Sequence, residues 1–93
     1  MSLKTDMIRR ITLSPASVAA NTSAEELFSV PGLQLLDVVA AVIKPTAQAG
    51  LGIVGWRVSA LNQLGITFGN FTAAPIVPTA SEVYKLVVVS LGS

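Results

Sequence analysis

The segment from residue 53 to residue 68 largely alternates apolar with polar or small side chains on both sides of a short connection. A period of two is typical of a half-buried β-strand, because successive side chains of a strand point to opposite faces of the sheet. Asn62 lies in the connection, and asparagine tolerates the left-handed backbone that tight turns need. We therefore predict a β-hairpin here, with one core that contains Trp56, Val58, Leu64, Ile66 and Phe68.

Further stretches rich in β-branched and aromatic residues, each bounded by Gly, Pro, Asn or Ser, read as strands over residues 8–13, 24–30, 36–43 and 82–91. Pro31-Gly32 marks a turn between two of them. A helix over residues 33–43 is the competing interpretation, because short apolar runs are ambiguous. We predict one all-β domain over residues 1–93, a small antiparallel β-sandwich or jelly-roll-like barrel of six or seven strands. Residues 1–7 are expected to form a flexible N-terminal arm.

Two of the predicted strands are apolar on both faces. Residues 38–43 and 86–89 show no polar alternation. In a two-layer sandwich one face of each strand meets the opposite sheet. The second face must then be covered by a loop or by another subunit.

The chain contains neither cysteine nor histidine. This excludes disulfides, thiolate metal sites and cysteine nucleophiles, and it removes the commonest general base and metal ligand. The five carboxylates are dispersed, and the adjacent Glu25 and Glu26 point to opposite faces of a strand. We predict no enzymatic activity, no catalytic residue, no cofactor and no metal site.

Charge and hydropathy limit the possible partners. Six Lys and Arg residues and a net charge of +1 are too few to neutralise a nucleic-acid backbone, so no nucleic-acid partner is expected. No run reaches the length of about 18 apolar residues that a membrane-spanning helix needs. The N-terminus lacks the order of a signal peptide, so we expect a soluble chain without an export signal.

Two motifs are interpreted by their context. Residues 50–55, Gly-Leu-Gly-Ile-Val-Gly, match a dinucleotide-binding pattern, but that pattern must follow a strand and open a helix, whereas strand alternation follows here. We interpret it as a glycine-rich loop that enters a strand. Asn21 and Asn70 begin N-glycosylation patterns, and we interpret both as turn residues.

Between Pro45 and Ser81 the only charged side chain is Arg57. Large neutral apolar surfaces usually mark contact sites. The loops of this region either fold back over the ends of the sandwich or contact another copy of the chain. Under the second interpretation, the interface residues are Leu51, Ile53, Phe71, Ile76 and Val77.

Five segments share an order of turns and strands with a known class of proteins: NTSAEELFSVPGL (residues 21–33), DVV (37–39), KPTAQAGLGI (44–53), VSALNQLGITFGNFTAA (58–74) and PTASEVY (78–84). In this order the chain resembles small β-sandwich structural proteins of tailed-phage virions. Leu35-Leu36 depart from it, since a glycine is expected before Asp37. Leu61 departs as well, at a tip that is usually polar.

The resemblance implies a capsid decoration (cement) protein or a fibre or tail module, assembled as a symmetric homo-oligomer. The resemblance implies a trimer, because decoration proteins often sit on three-fold positions of shells, and a dimer is the alternative. The partners would be the chain itself and a major capsid or tail protein, and the location would be the virion, after synthesis in the host cytoplasm. The alternative is a carbohydrate-binding or tail-fibre receptor-binding β-sandwich module.

Overall fold

The strands expected from the sequence are present in the computed structural model, which describes residues 2–3, 7–89 and 91–92. Within these residues every regular element is a strand, and none is a helix. The elements are β1 (Ser2–Leu3), β2 (Met7–Leu13), β3 (Thr22–Ser29), β4 (Val38–Ile43), β5 (Leu51–Ala60), β6 (Gln63–Asn70), β7 (Glu82–Val89) and β8 (Leu91–Gly92).

Six strands form two antiparallel three-stranded sheets. Sheet I has the order β2-β7-β4, sheet II has the order β3-β6-β5, and β1 pairs with β8. The prediction of an all-β sandwich is confirmed, and the sheets do not close into a barrel. No helix in the described part of the chain is long and apolar enough to cross a bilayer.

Two expectations concern the chain ends and the segment before β4. The arm over residues 1–7 falls partly on residues outside the described ones, while Ser2–Leu3 form β1 and Met7 begins β2. The helix alternative for residues 33–43 does not hold, because β4 covers Val38–Ile43 and a turn precedes it.

The predicted hairpin consists of β5, a two-residue turn and β6. Asn62 has a positive φ of 62°, as expected for the turn. Its backbone and side chain also connect the hairpin to the segment after β3: Val30 N donates to Asn62 O at 2.9 Å, and Gly32 N donates to Asn62 Oδ1 at 2.8 Å. The tip of the hairpin is thereby attached to the Pro31-Gly32 turn.

The core lies between the two sheets. Its buried apolar members are Leu13, Val18, Phe28, Val30, Leu33, Val42, Leu64, Ile66, Phe68, Tyr84, Leu86 and Val88. Three of the five predicted hairpin residues are in this cluster, and Val58 packs against it while partly buried.

The prediction that Trp56 shares this core is wrong. Trp56 lies directly opposite Ile66 and therefore on the inner face of sheet II, but β5 is an edge strand and the side chain remains 38% exposed. A β-bulge between Ile53 and Gly55 also interrupts the expected alternation. Because of it, Ile53 pairs with Phe68 on the inner face, and Val54 is left exposed.

Candidate functional site

The five predicted interface residues lie near one end of the sandwich, in different environments. Leu51 and Ile53 pack against the core and are partly buried. Ile76 is also partly buried, whereas Phe71 and Val77 are exposed. Within one copy of the chain, only Phe71 and Val77 among these five present a large accessible side chain for contact.

Asn70 organises the loop at this end. Its side chain is wholly buried, and its Nδ2 donates to Val18 O at 3.0 Å and to Ala74 O at 2.8 Å. Its Oδ1 accepts from Thr72 N at 2.9 Å and from the Thr72 hydroxyl at 2.7 Å. The amide therefore makes all four hydrogen bonds available to it. This supports the interpretation of Asn70 as a turn residue.

Residues 71–81 fold back over the end of the sandwich. Val18 and Ile76 exchange backbone hydrogen bonds at 2.8 and 3.0 Å. Gln48 joins the same loop from the other side, since its amide donates to Val77 O at 3.1 Å and accepts from Thr79 N at 2.9 Å. The loop is thus fixed at both ends by polar contacts.

The glycine-rich loop enters a strand, as interpreted from its context. Gly50 has a positive φ of 78° in a turn, and β5 begins at the next residue. A Cβ atom at Gly50 would collide with Cγ2 of Thr72. The glycine is therefore needed for both backbone conformation and close packing.

An open groove of about 540 Å³ lies beside this end of sheet II. Its lining is formed by Asn21, Thr22, Ser23, Val54, Asn70 and Phe71. The Phe71 ring is 71% exposed and lies over Gly69 on the outer face of sheet II. Its Cζ atom is 3.0 Å from the point where a side chain at position 69 would place its Cβ atom. Phe71 N donates to Gly50 O at 2.8 Å, which holds the backbone that carries the ring.

The second exposed surface is the outer face of sheet I. Ile8, Val38, Ile43 and Val83 each remain close to half exposed there, and Val87 is partly buried between them. We call this surface the apolar face. It includes the outward-facing side of residues 38–43 and 86–89, which the sequence predicted to be apolar on both faces.

Two cations lie within the apolar face. Arg10 on β2 is directly opposite Lys85 on β7, and Lys85 is directly opposite Ile43 on β4. Directly opposed residues share one face of a sheet, so these three side chains form one row. Sequence reasoning missed this row because strand order is needed to bring β2 next to β7.

The carboxylates of the described residues serve structural contacts. Arg57 binds Glu25 across the outer face of sheet II, with 2.6 Å from Nε to Oε2 and 2.8 Å from Nη2 to Oε1. This hydrogen bonding lowers the pKa of Glu25. Glu26 Oε1 accepts from Ala16 N at 2.8 Å.

Glu82 is buried beside a lysine and a hydroxyl. The Thr46 hydroxyl donates to Glu82 Oε2, and Lys44 Nζ lies 3.0 Å from Oε1. The pKa of Glu82 is lowered chiefly by the Thr46 hydrogen bond and further by Lys44. In the described part of the chain, no three Asp or Glu residues lie close enough together to hold a metal ion.

Tyr84 is wholly buried, and its hydroxyl has no hydrogen-bond partner among the described residues. Burial raises the pKa of Tyr84 to about 12, and the charges of Glu82 and Glu26 act in the same direction. The neutral phenol is therefore the stable form inside the sandwich.

Comparison of this chain with protein-family models, with curated proteins and with solved structures finds no match.

Proposed function

We propose that this protein is a non-catalytic structural component of a tailed-phage virion, a capsid decoration protein that acts by symmetric self-association and by docking on a shell. The observation that carries the proposal is the apolar face of sheet I. Ile8, Val38, Ile43 and Val83 expose apolar area on one face of the sheet, around the Arg10–Lys85 row. Such patches on small proteins usually mark a contact with another protein.

A second copy of the chain is the simplest cover for this face. Burial of apolar area stabilises by about 25 cal/mol per Å², so covering several half-exposed Val and Ile side chains favours association. Closed assemblies also protect the edges of sheets, which otherwise pair with further chains. The proposed state is a trimer, from the resemblance to decoration proteins that sit at three-fold positions.

The proposed second partner is a major capsid or tail protein, and the proposed location is the virion after synthesis in the host cytoplasm. A decoration protein needs a rigid framework and surfaces for contact rather than an active site. The four-bonded Asn70 amide and the Gln48 contacts supply rigidity at one end of the sandwich.

The test is the mass in solution by light scattering at tens of micromolar protein. The wild type is expected to be an oligomer, and Ile43→Asp should dissociate it, because the charge would lie in a contact that excludes water. Leu61→Asp is the matched control, since Leu61 is similarly exposed but lies at the tip of the hairpin. A monomeric wild type, or an Ile43→Asp variant of unchanged mass, would contradict the proposal.

The groove beside Phe71 favours a second candidate function, the binding of a saccharide by the same sandwich. A fixed, exposed aromatic ring can stack on the C–H face of a sugar, while Asn21, Thr22 and Ser23 offer polar groups to its hydroxyls. The groove is within the usual range of ligand sites, about 300–1,000 Å³.

Binding to a saccharide array, followed by calorimetric titration of any sugar that is retained, tests this candidate. Phe71→Ala should abolish retention, whereas Val77→Ala, an exposed apolar residue outside the groove lining, should leave it unchanged. Absence of retention of every sugar by the wild type would count against the candidate.

A further inference from the structure

The turn before β4 exposes two leucines. Gln34, Leu35, Leu36 and Asp37 form a turn closed by a hydrogen bond from Asp37 N to Gln34 O at 3.1 Å. Leu35 is 63% exposed and Leu36 is 78% exposed. Neither leucine has a positive φ, and a turn of this kind accepts most residues at its central positions, so it tolerates leucine without requiring it. The turn itself therefore does not explain the two leucines, and an external contact would.

The same turn carries a carboxylate in a fixed position. Asp37 Oδ2 accepts from Gln34 N at 2.9 Å, so side chain and backbone close the turn together. The second oxygen, Oδ1, makes no hydrogen bond within the described part of the chain. The turn thus presents an apolar tip with an acceptor beside it.

The apolar face is complementary to this turn, because it offers cations for the carboxylate and apolar side chains for the leucines. Arg10 and Lys85 lie directly opposite each other, and like charges in that arrangement repel. Within residues 7–89 neither side chain makes a hydrogen bond or an ion pair, whereas Lys44 and Arg57 each have a carboxylate partner. A carboxylate delivered to this row would relieve the repulsion, and the surrounding Ile8, Ile43 and Val83 would accept an apolar side chain.

The Asp37 of the same chain cannot reach this row. Lys85 lies opposite Ile43, at the far end of β4 from Asp37. At about 3.3 Å per strand residue, the separation is roughly 16–20 Å. A contact between the turn and the cations must therefore join two copies.

We infer that the 34–37 turn of one copy docks on the apolar face of the next. Leu36 packs against Ile8 and Ile43, and Asp37 pairs with Arg10 and Lys85. This inference rests on the self-association proposed above and specifies its two surfaces. Because the contact joins two different patches, it closes into a ring when the rotation between copies permits, as a trimer requires.

Charge reversal with rescue tests the inference, with the dissociation constant measured by light scattering and sedimentation. Asp37→Lys alone and the double variant Arg10→Glu, Lys85→Glu should each weaken assembly at least about tenfold. The triple variant that combines them should recover to within a few fold of wild type, because the charges are again opposite.

Two further variants separate the contact from the fold of the turn. Asp37→Asn keeps an acceptor for Gln34 N but removes the charge, and it should also weaken assembly. Leu36→Ser should weaken assembly, and it should leave the melting temperature unchanged at concentrations where wild type and variant are both monomeric, because the side chain is exposed in the single copy. The swap Glu25→Arg, Arg57→Glu on sheet II is the control, and it should leave the dissociation constant unchanged.

The outcomes distinguish this inference from the proposed function. If the wild type assembles, either of two results overturns the inference while self-association stands. The first is that neither charge reversal weakens assembly, and the second is that the triple variant fails to recover. If the wild type is monomeric at tens of micromolar, both are overturned. Recovery in the triple variant supports both.

Discussion

The indole nitrogen of Trp56 donates to the carbonyl oxygen of Val39 at 2.8 Å, and this bond joins the edge strand of sheet II to the edge strand of sheet I. Trp56 therefore closes one side of the sandwich, although it is not part of the buried core. The bond depends on a donor at the far end of a large ring, which phenylalanine lacks.

Replacing Trp56 by Phe should lower the free energy of unfolding by about 1 kcal/mol, because one hydrogen bond between the sheets is lost. Urea denaturation followed by circular dichroism measures this. The control is Phe71→Leu, which changes an exposed ring that makes no such bond. An unchanged urea midpoint for Trp56→Phe would show that the bond does not stabilise the sandwich.

Asn70→Ala should cost at least about 2 kcal/mol, because it removes four hydrogen bonds at the end of the sandwich and leaves the backbone N–H of Thr72 without a partner. Thermal and urea unfolding both report the loss. Asn21→Gly is the control, since Asn21 is exposed with a φ of 53° that glycine adopts readily. Equal stability of the two variants would contradict the role given to Asn70.

Gly50, in the turn before β5, and Gly55, within β5, should differ in how replacement by alanine changes the stability of the fold. Gly50→Ala should destabilise by more than about 1 kcal/mol, because the backbone is left-handed and the new Cβ meets Thr72. Gly55→Ala should be neutral or stabilise by up to about 1 kcal/mol, since nothing lies within 4 Å of its Cβ position. A stability measurement in which Gly55→Ala is the worse variant would refute this placement of the bulged strand.

Tyr84 should make stability fall at high pH. Its pKa is raised to about 12 in the folded chain, above its ordinary value of 10.0, so its contribution is complete below pH 10 and is lost as the pH rises toward 12. Absorbance of the phenolate follows the titration directly, because this is the only tyrosine. Tyr84→Phe removes an unpartnered buried hydroxyl and should remove this part of the pH dependence at little cost in stability.

The comparison of wild type with Tyr84→Phe isolates the contribution of the phenol from every other effect of high pH on stability. If the phenol of the folded protein titrates near pH 10, the buried environment assigned to it is wrong.

Periodicity and turn chemistry predicted the strands well. The hairpin, the left-handed Asn62 and the turn at Gly32 follow from local residue types, and local rules apply because these features involve neighbours in sequence. The helix alternative for residues 33–43 also fails for a local reason, since its β-branched residues favour a strand.

The remaining features depend on strand order and on single extra residues. Trp56 is at an edge only because β6, not β5, is central in sheet II. The bulge at Val54 adds one residue to a ladder, which an alternation pattern does not show. The Arg10–Lys85 row requires β2 to pair with β7, and the Asn70 contacts join positions 52 residues apart in sequence.

The strand order also sets when each sheet can form. Sheet II can begin from the β5–β6 hairpin, whose strands are joined by two residues, and β3 then adds to it. Sheet I has no such start, because β2 and β4 do not pair with each other and both wait for β7, the last of the six main strands in sequence. During synthesis, β2 and β4 therefore leave the ribosome long before their shared partner. Until then the strands that carry Ile8 and Ile43 lack the strand that sheet I places between them, and their apolar side chains have no sheet to pack in.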